Sequence, residues 1–268
     1  MRIIDLSLPI DDTVTEPHPV EIVRWQHKEG GDRFGWRWAK SQGIKGRLRH
    51  LTGQERITHR TFRDEAFLSL EWVSATVHCG THIDAPYHFG MFSEGKEPKK
   101  AEDIPLEWCF GNGVVLDCAH RTVGEEITRR DIEQSLKKIG YEIKPFDIVL
   151  LYTGTDKLWG TRQYFAQFAG VSREAIDFIV NSGVKIIGID TFSFDRPLKL
   201  MIEDYLRTGD GRYLYPAHFY GRDKEYLHVE RLANLNQIPE PYGFKVSCFP
   251  IKIKGVGAAW VRAVAIID

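Results

Sequence analysis

Cysteine is scarce in this chain. Cys79, Cys109, Cys118 and Cys248 are the only four in 268 residues. They have neither paired metal-site spacing nor the density of a disulfide scaffold, so free thiols in a reducing cytoplasm are expected. Net charge is nearly absent as well: 36 Lys and Arg against 37 Asp and Glu leave a formal −1, and no global field draws the chain to nucleic acid or to a membrane. No apolar run approaches the length of a spanning helix, and Met1-Arg-Ile-Ile-Asp-Leu-Ser7 lacks the apolar stretch of a signal peptide. Internal repeats and low-complexity tracts are missing too. The remaining composition, 43% hydrophobic and 27% charged, suffices for the full core of a soluble protein. This length fits one large domain or two small ones; the reading taken is a single domain over 1–268.

Against this even background one stretch stands out, His78-Cys-Gly-Thr-His82-Ile-Asp84-Ala-Pro-Tyr-His88. It holds three of the ten histidines in eleven residues, where composition alone predicts fewer than one. Imidazole nitrogens with a carboxylate are the ligand set of zinc, manganese or iron sites. Histidines at i and i+4 could share a helix face, but Gly80, the β-branched Thr81 and Pro86 oppose a helix. A strand-end loop is expected, with Gly80 allowing a tight turn and His82 and Asp84 pointing the same way on an extended segment.

Along the chain, 2–10 reads as a short strand, and alternation of Ala66, Leu68, Leu70 and Trp72 predicts a strand leading to His78. Gly113–Asp117, Asp147–Thr153 and Val184–Asp190 read as buried strands. Between them, Thr128 with Asp131 three residues on predicts a capped helix ended by Gly140. Ser172 predicts another, with Ile176, Ile179 and Val180 inward and Gly183 after it. This alternation argues for α/β crossover units. Residues 194–226 read as polar, aromatic and irregular. At the C-terminus, Val246–Ile253 and Ala259–Ile267 read as strands that pair with each other or with the N-terminal strand.

Residues 24–63 form a basic, aromatic excursion, with eleven Lys and Arg against Glu29, Asp32 and Glu55, and with Trp25, Trp36 and Trp38 interleaved. A solvated face, a lid bringing a cation and an aromatic wall to a pocket, and nucleic-acid binding all fit such a pattern. The even overall charge weighs against nucleic acid.

The central stretch fits the pattern His-x-Gly-Thr-His-x-Asp-x-Pro-x-His and in this resembles the metal-dependent cyclase-like amidohydrolases, which include bacterial kynurenine formamidases and isatin hydrolases. Asp5-Leu-Ser7, Thr153-Gly154, Gly188-Ile-Asp190, and His218 with Glu230 before Leu232-Ala-Asn-Leu235 fall in that family's order. The resemblance implies an α/β fold of the swivelling β/β/α type, a mixed, β-barrel-like sheet with flanking helices. It implies one or two divalent cations, zinc or manganese, held by His78, His82 and Asp84 and by Asp84, His218 and Glu230. It implies His88 as acid/base, and a homodimer or homotetramer. The family's pocket-lining Pro-Trp-Pro reads Pro17-His18-Pro19 here, which makes His18 a candidate substrate-binding residue, and Phe192 stands where relatives often have proline.

The chemistry these residues suit is hydrolysis of a small amide or cyclic amide C–N bond, with an aromatic or anionic substrate. His88 could equally be a ligand or orient Asp84 from outside the ligand set. A cyclase, dehydratase or lactonase, or a non-catalytic metal- or ligand-binding protein, fits the same residues.

Overall fold

A computed structural model describes residues 1–267. It forms two compact units: residues 1–18 together with 76 onward, and Pro19–Ala75. The larger unit is built on a nine-stranded mixed sheet. Its strands are β1 (Arg2–Asp5), β4 (His82–Asp84), β5 (Phe110–Asp117), β7 (Ile148–Tyr152), β9 (Ile186–Ile189), β10 (Leu227–Glu230), β11 (Phe244–Ser247), β12 (Ala258–Trp260) and β13 (Val264–Ile267). They lie in the order β1-β13-β11-β5-β7-β9-β10-β4-β12, an open sheet curled into a half-barrel.

The centre of that sheet is parallel, β5 to β7 to β9 to β10. Crossover helices α4 (Arg129–Ile139) and α5 (Arg173–Asn181) connect it, as parallel neighbours require. Both helices start where the sequence predicts. Thr128 Oγ1 accepts from Asp131 N while the Asp131 carboxylate reaches back to Thr128 N, and Gly140 closes the helix in the left-handed region. Ser172 accepts from Ala175 N at the start of α5. Ile132, Ile176 and Ile179 are fully buried against Val114, Leu116, Val149 and Ile187. A short parallel pair, β6 (Glu126–Ile127) with β8 (Gly170–Val171), precedes the two helices.

Several expectations need correction. The irregular segment after Phe194 contains α6 (Leu198–Thr208), entered from Pro197 and ended by Gly209, and α7 (Pro216–Tyr220). Just after the histidine motif's strand comes the one-turn α3 (Pro86–Phe89), with Pro86 at its first position. The last C-terminal run is two strands: β12 pairs with β4, and β13 pairs with both β1 and β11.

The smaller unit has its own two-stranded sheet, β2 (Glu21–Trp25) with β3 (Leu70–Ser74), and two helices, α1 (His27–Ser41) and α2 (Gly43–Thr52). The strand expected over Ala66–Val77 is therefore shorter and stops at Ser74; His78 lies in the turn that follows. Helix α1 carries three interior glycines. A Cβ on Gly30 would stand 2.5 Å from Leu68 O, on Gly31 2.6 Å from His59 Cα, and on Gly35 1.8 Å from Ile57 O. Residues 57–68 thus lie directly on the helix backbone, and larger residues there would push them off. No helix among the described residues is long and apolar enough to cross a membrane.

Candidate metal centre

The site begins with a strand too short to be stable alone. Gly80 sits at φ 59°, where a Cβ would meet Pro9 O and Ile10 Cγ1 at 3.2 Å. The chain turns there and enters β4. Thr81 fixes the entry: its Oγ1 accepts from Leu8 N at 2.7 Å and donates to Arg231 O. β4 then pairs antiparallel with β10, Asp84 opposite His228 and His82 opposite Glu230. Side chains alternate along a strand, so His82, Asp84, His228 and Glu230 project from one face. Ile83 and Val229 project from the other into the apolar core.

Asp84 is the hub. Its Oδ1 lies 3.0 Å from His78 Nδ1 and 3.5 Å from His82 Nε2. Its Oδ2 lies 2.9 Å from His228 Nε2, 3.9 Å from His218 Nε2 and 4.0 Å from His88 Nε2. Glu230 is shared in the same way, with Oε2 3.5 Å from His82 Nε2 and Oε1 3.6 Å from His218 Nε2. Two groups of possible ligand atoms result, His78–His82–Asp84 and Asp84–His218–His228–Glu230, and in each the atoms lie within 4.8 Å of one another.

Hydrogen bonds away from the hub aim the rings. His82 Nδ1 is 3.0 Å from Gly80 O, so it carries the proton and Nε2 is left bare. His218 Nδ1 is 2.5 Å from Asp195 Oδ2, and Asp195 also accepts from the backbone N–H of Ala217 and His218. One carboxylate therefore caps α7 and turns His218 Nε2 toward Asp84 and Glu230. His88, on α3, is packed so that a Cβ on Gly257 would meet its Cα at 3.2 Å. Its side chain stays 35% exposed while Asp84 is sealed, which places it at the solvent side of the cluster.

Burial sets the charges. It pulls His82 down to about 3 and His228 to about 4, and so holds both rings neutral. It also opposes charge on Asp84, but His82, His78 and His88 hold that carboxyl well below its ordinary range. Burial and the neighbouring Asp84 push Glu230 up to about 7. Burial alone would lower His218; the Asp195 carboxylate outweighs it and raises the ring to about 9. Two carboxyls this close cannot both stay charged without compensation.

Asp84 Oδ1 and His82 Nε2 are buried and, apart from the approach of His78 Nδ1 to Oδ1 at 3.0 Å, have no hydrogen-bond partner among the described residues. Orphaned acceptors of this kind cost free energy unless something positive meets them, and a neutral imidazole beside a carboxylate suits a divalent cation. The residues present therefore fit a metal.

All five residues expected from the sequence to ligate cations, His78, His82, Asp84, His218 and Glu230, are brought together. His88 lies beside them, its ring centroid 4.3 Å from that of His78. His18 is exposed and stands outside both groups. His228 and Asp195 were not among the expected site residues. The spacing His228-x-Glu230 within a strand was the available signal for the first; nothing local marks the second.

Known proteins are similar to this chain in sequence and in fold. A kynurenine formamidase of Salinibacter ruber is 27% identical over 213 residues, covering 77% of this chain and 84% of that one. Cyclase-like protein 2 of Oryza sativa is 23% identical, covering 74% of this chain and 65% of its own length. Isatin hydrolase A of Labrenzia aggregata, solved bound to benzyl benzoate, superposes with a TM-score of 0.70 at 22% identity over 99% of this chain and 93% of that one. The same enzyme from Ralstonia solanacearum gives 0.72 at 19% identity over 100% and 92%. These structures share the fold, and a sequence profile matches residues 4–196, from β1 through the histidine motif to Asp195 behind His218; the chain belongs to the family described as "Putative cyclase".

Proposed function

We propose that this chain hydrolyses the C–N bond of a small amide or cyclic amide, with an aromatic or anionic substrate, in the manner of an arylformamidase. The observation that carries the reading is the buried, doubly shared Asp84 with bare acceptor atoms at His82 Nε2 and Asp84 Oδ1. His78, His82 and Asp84 would hold one cation, and Asp84, His218 and Glu230 a second, zinc or manganese. Such a cation, when bound, supplies Lewis acidity to a substrate carbonyl and acidifies water toward a pKa of roughly 7.

The chain's own groups do the rest. His88 stands at the solvent side of the cluster, and burial pulls its pKa down to about 4. Its ring is thus neutral at cellular pH and ready to accept a proton from attacking water. It then returns that proton to the departing nitrogen, so that amine rather than amide anion leaves. Asp84 holds the imidazoles in register, and Asp195 prevents the His218 ring from turning. Glu230 favours an arrangement with two cations over one. The swivelling β/β/α description, a homo-oligomeric assembly and a substrate contact by His18 belong to the same reading.

Elemental analysis of protein purified without added metal tests the first half; at least one equivalent of a divalent transition metal per chain is expected. A panel of N-formylkynurenine, isatin, cyclic imides and aryl lactones tests the second. Metal-loaded protein that turns over none of them would defeat the hydrolase reading.

A further inference from the structure

His228 is fully buried and lies directly across from Asp84 in the β10–β4 ladder. Its ring is held on two sides, stacked on Phe194 at 4.3 Å and edge-on to Phe89 at 4.8 Å. The Tyr226 hydroxyl has one hydrogen and donates it to Ala217 O at 2.9 Å. Toward His228 Nδ1, 3.5 Å away, the phenol oxygen can then only accept. A ring proton on Nδ1 satisfies that oxygen and leaves a lone pair on Nε2.

That lone pair faces another acceptor, Asp84 Oδ2, at 2.9 Å. Two acceptors this close, sealed from water, repel unless a positive charge meets both. The surrounding distances say where such a charge would sit. His228 Nε2 is 3.8 Å from Glu230 Oε1, and His218 Nε2 is 3.6 Å from Glu230 Oε1 and 3.9 Å from Asp84 Oδ2. Donor atoms each roughly 2.1 Å from one cation are roughly 3.0–3.4 Å apart when adjacent and roughly 4.2 Å when opposite. A proton on Nε2 given to Asp84 would account for the 2.9 Å approach alone. It would leave the convergence of His218 and Glu230, and the partner of Nδ1, without explanation.

We infer that His228 is itself a cation ligand, completing an inner site of two imidazoles and two carboxylates with Asp84, His218 and Glu230. This rests on the metal reading above and goes beyond it: His228 lies outside the five ligands expected from the sequence. The two cation positions are then unequal. The outer one has His78, His82 and Asp84, with His78 32% exposed. The inner one is closed, and Tyr226 serves as the group that fixes the ligand's tautomer.

Cobalt(II) titration of the full-length, chelator-stripped protein tests this, read by visible absorption and by competition with a chelator of known affinity. In His228→Gln, which keeps a hydrogen-bond donor for Asp84, one binding step should weaken at least about 10-fold, the lower end of what even partners behind a ligand produce, and its cobalt bands should change. His228→Cys should retain uptake and gain a thiolate-to-cobalt charge-transfer band in the near ultraviolet that the parent protein lacks. Circular dichroism of the stripped variants checks the fold; where His228→Gln does not fold, the cysteine variant decides. If His228→Gln titrates like the parent and His228→Cys shows no new band, His228 only hydrogen-bonds Asp84 and the inference is wrong. Parent protein that takes up no cobalt is a different result: it removes the metal reading and this inference with it.

Discussion

The β4–β10 pair has two faces of equal burial and opposite use. Ile83 and Val229 are 0% and 2% exposed and join the apolar core. One residue along each strand, His82, Asp84 and His228 are 0% exposed and Glu230 5%, yet these carry every ligand-type atom of the pair. Burial alone therefore does not identify a core. An apolar face lowers free energy by leaving water, whereas the polar face raises it until a cation is present. The difference is energetic rather than geometric, and variants on each face should separate it.

The largest effect is expected at the solvent side of the polar face. His88→Ala should lower kcat by about 100- to 10,000-fold while metal content is unchanged, because a positioned proton carrier contributes about that much; steady-state kinetics with elemental analysis would show it. Equal loss of metal would make His88 a ligand instead. On the apolar face, Ile83→Ala should cost about 2–5 kcal/mol in denaturant unfolding, the usual range for a core isoleucine, while the folded fraction keeps its metal. A full loss of metal with little loss of stability would erase the distinction between the faces.

A third variant acts behind the polar face. Asp195→Asn keeps one oxygen, enough to accept from Ala217 N–H, and sets an amide NH2 where Oδ2 accepts from His218 N and faces His218 Nδ1. Metal affinity should fall about 10- to 100-fold, measured by chelator competition, and the stripped protein should lose about 1–3 kcal/mol for the donor left unpaired. The smallest effect belongs far from both faces. Thr128→Ala should cost about 1 kcal/mol through its lost cap and leave metal and turnover untouched. The neighbouring Asp131 adds a pH signature. Burial raises its pKa, but hydrogen bonds from Arg121, Thr128 and His120 outweigh this and hold the carboxyl well below its ordinary value. Its folded pKa is lower than its unfolded one, so the stability it contributes is present above pH ~4 and lost as pH falls. The difference in Tm between parent and Asp131→Asn should shrink on acidification.

Legibility in the sequence followed the range of the interactions. The helices at Thr128 and Ser172 were readable because their caps, apolar spacing and closing glycines are local. The motif around His82 was readable for the same reason. Helix α6 had such signals, Pro197 before and Gly209 after, masked by the irregular, aromatic residues around it. Helix α1 did not: Gly30, Gly31 and Gly35 argue against a helix by propensity, and only the segment packed on them explains why they are there. His228 needed the most distant fact, since its meaning depends on standing opposite Asp84, 144 residues away.

That separation also sets an order of events during synthesis. His78, His82 and Asp84 leave the ribosome within one short stretch, but β4 has only β10 and β12 as sheet neighbours, so even this trio is not fixed until the end of the chain arrives. The inner group must wait until residues 218–230 have emerged and β10 has docked beside β4, a late, non-local closure. Uptake of a cation by the cluster would therefore report that the last third of the polypeptide has folded.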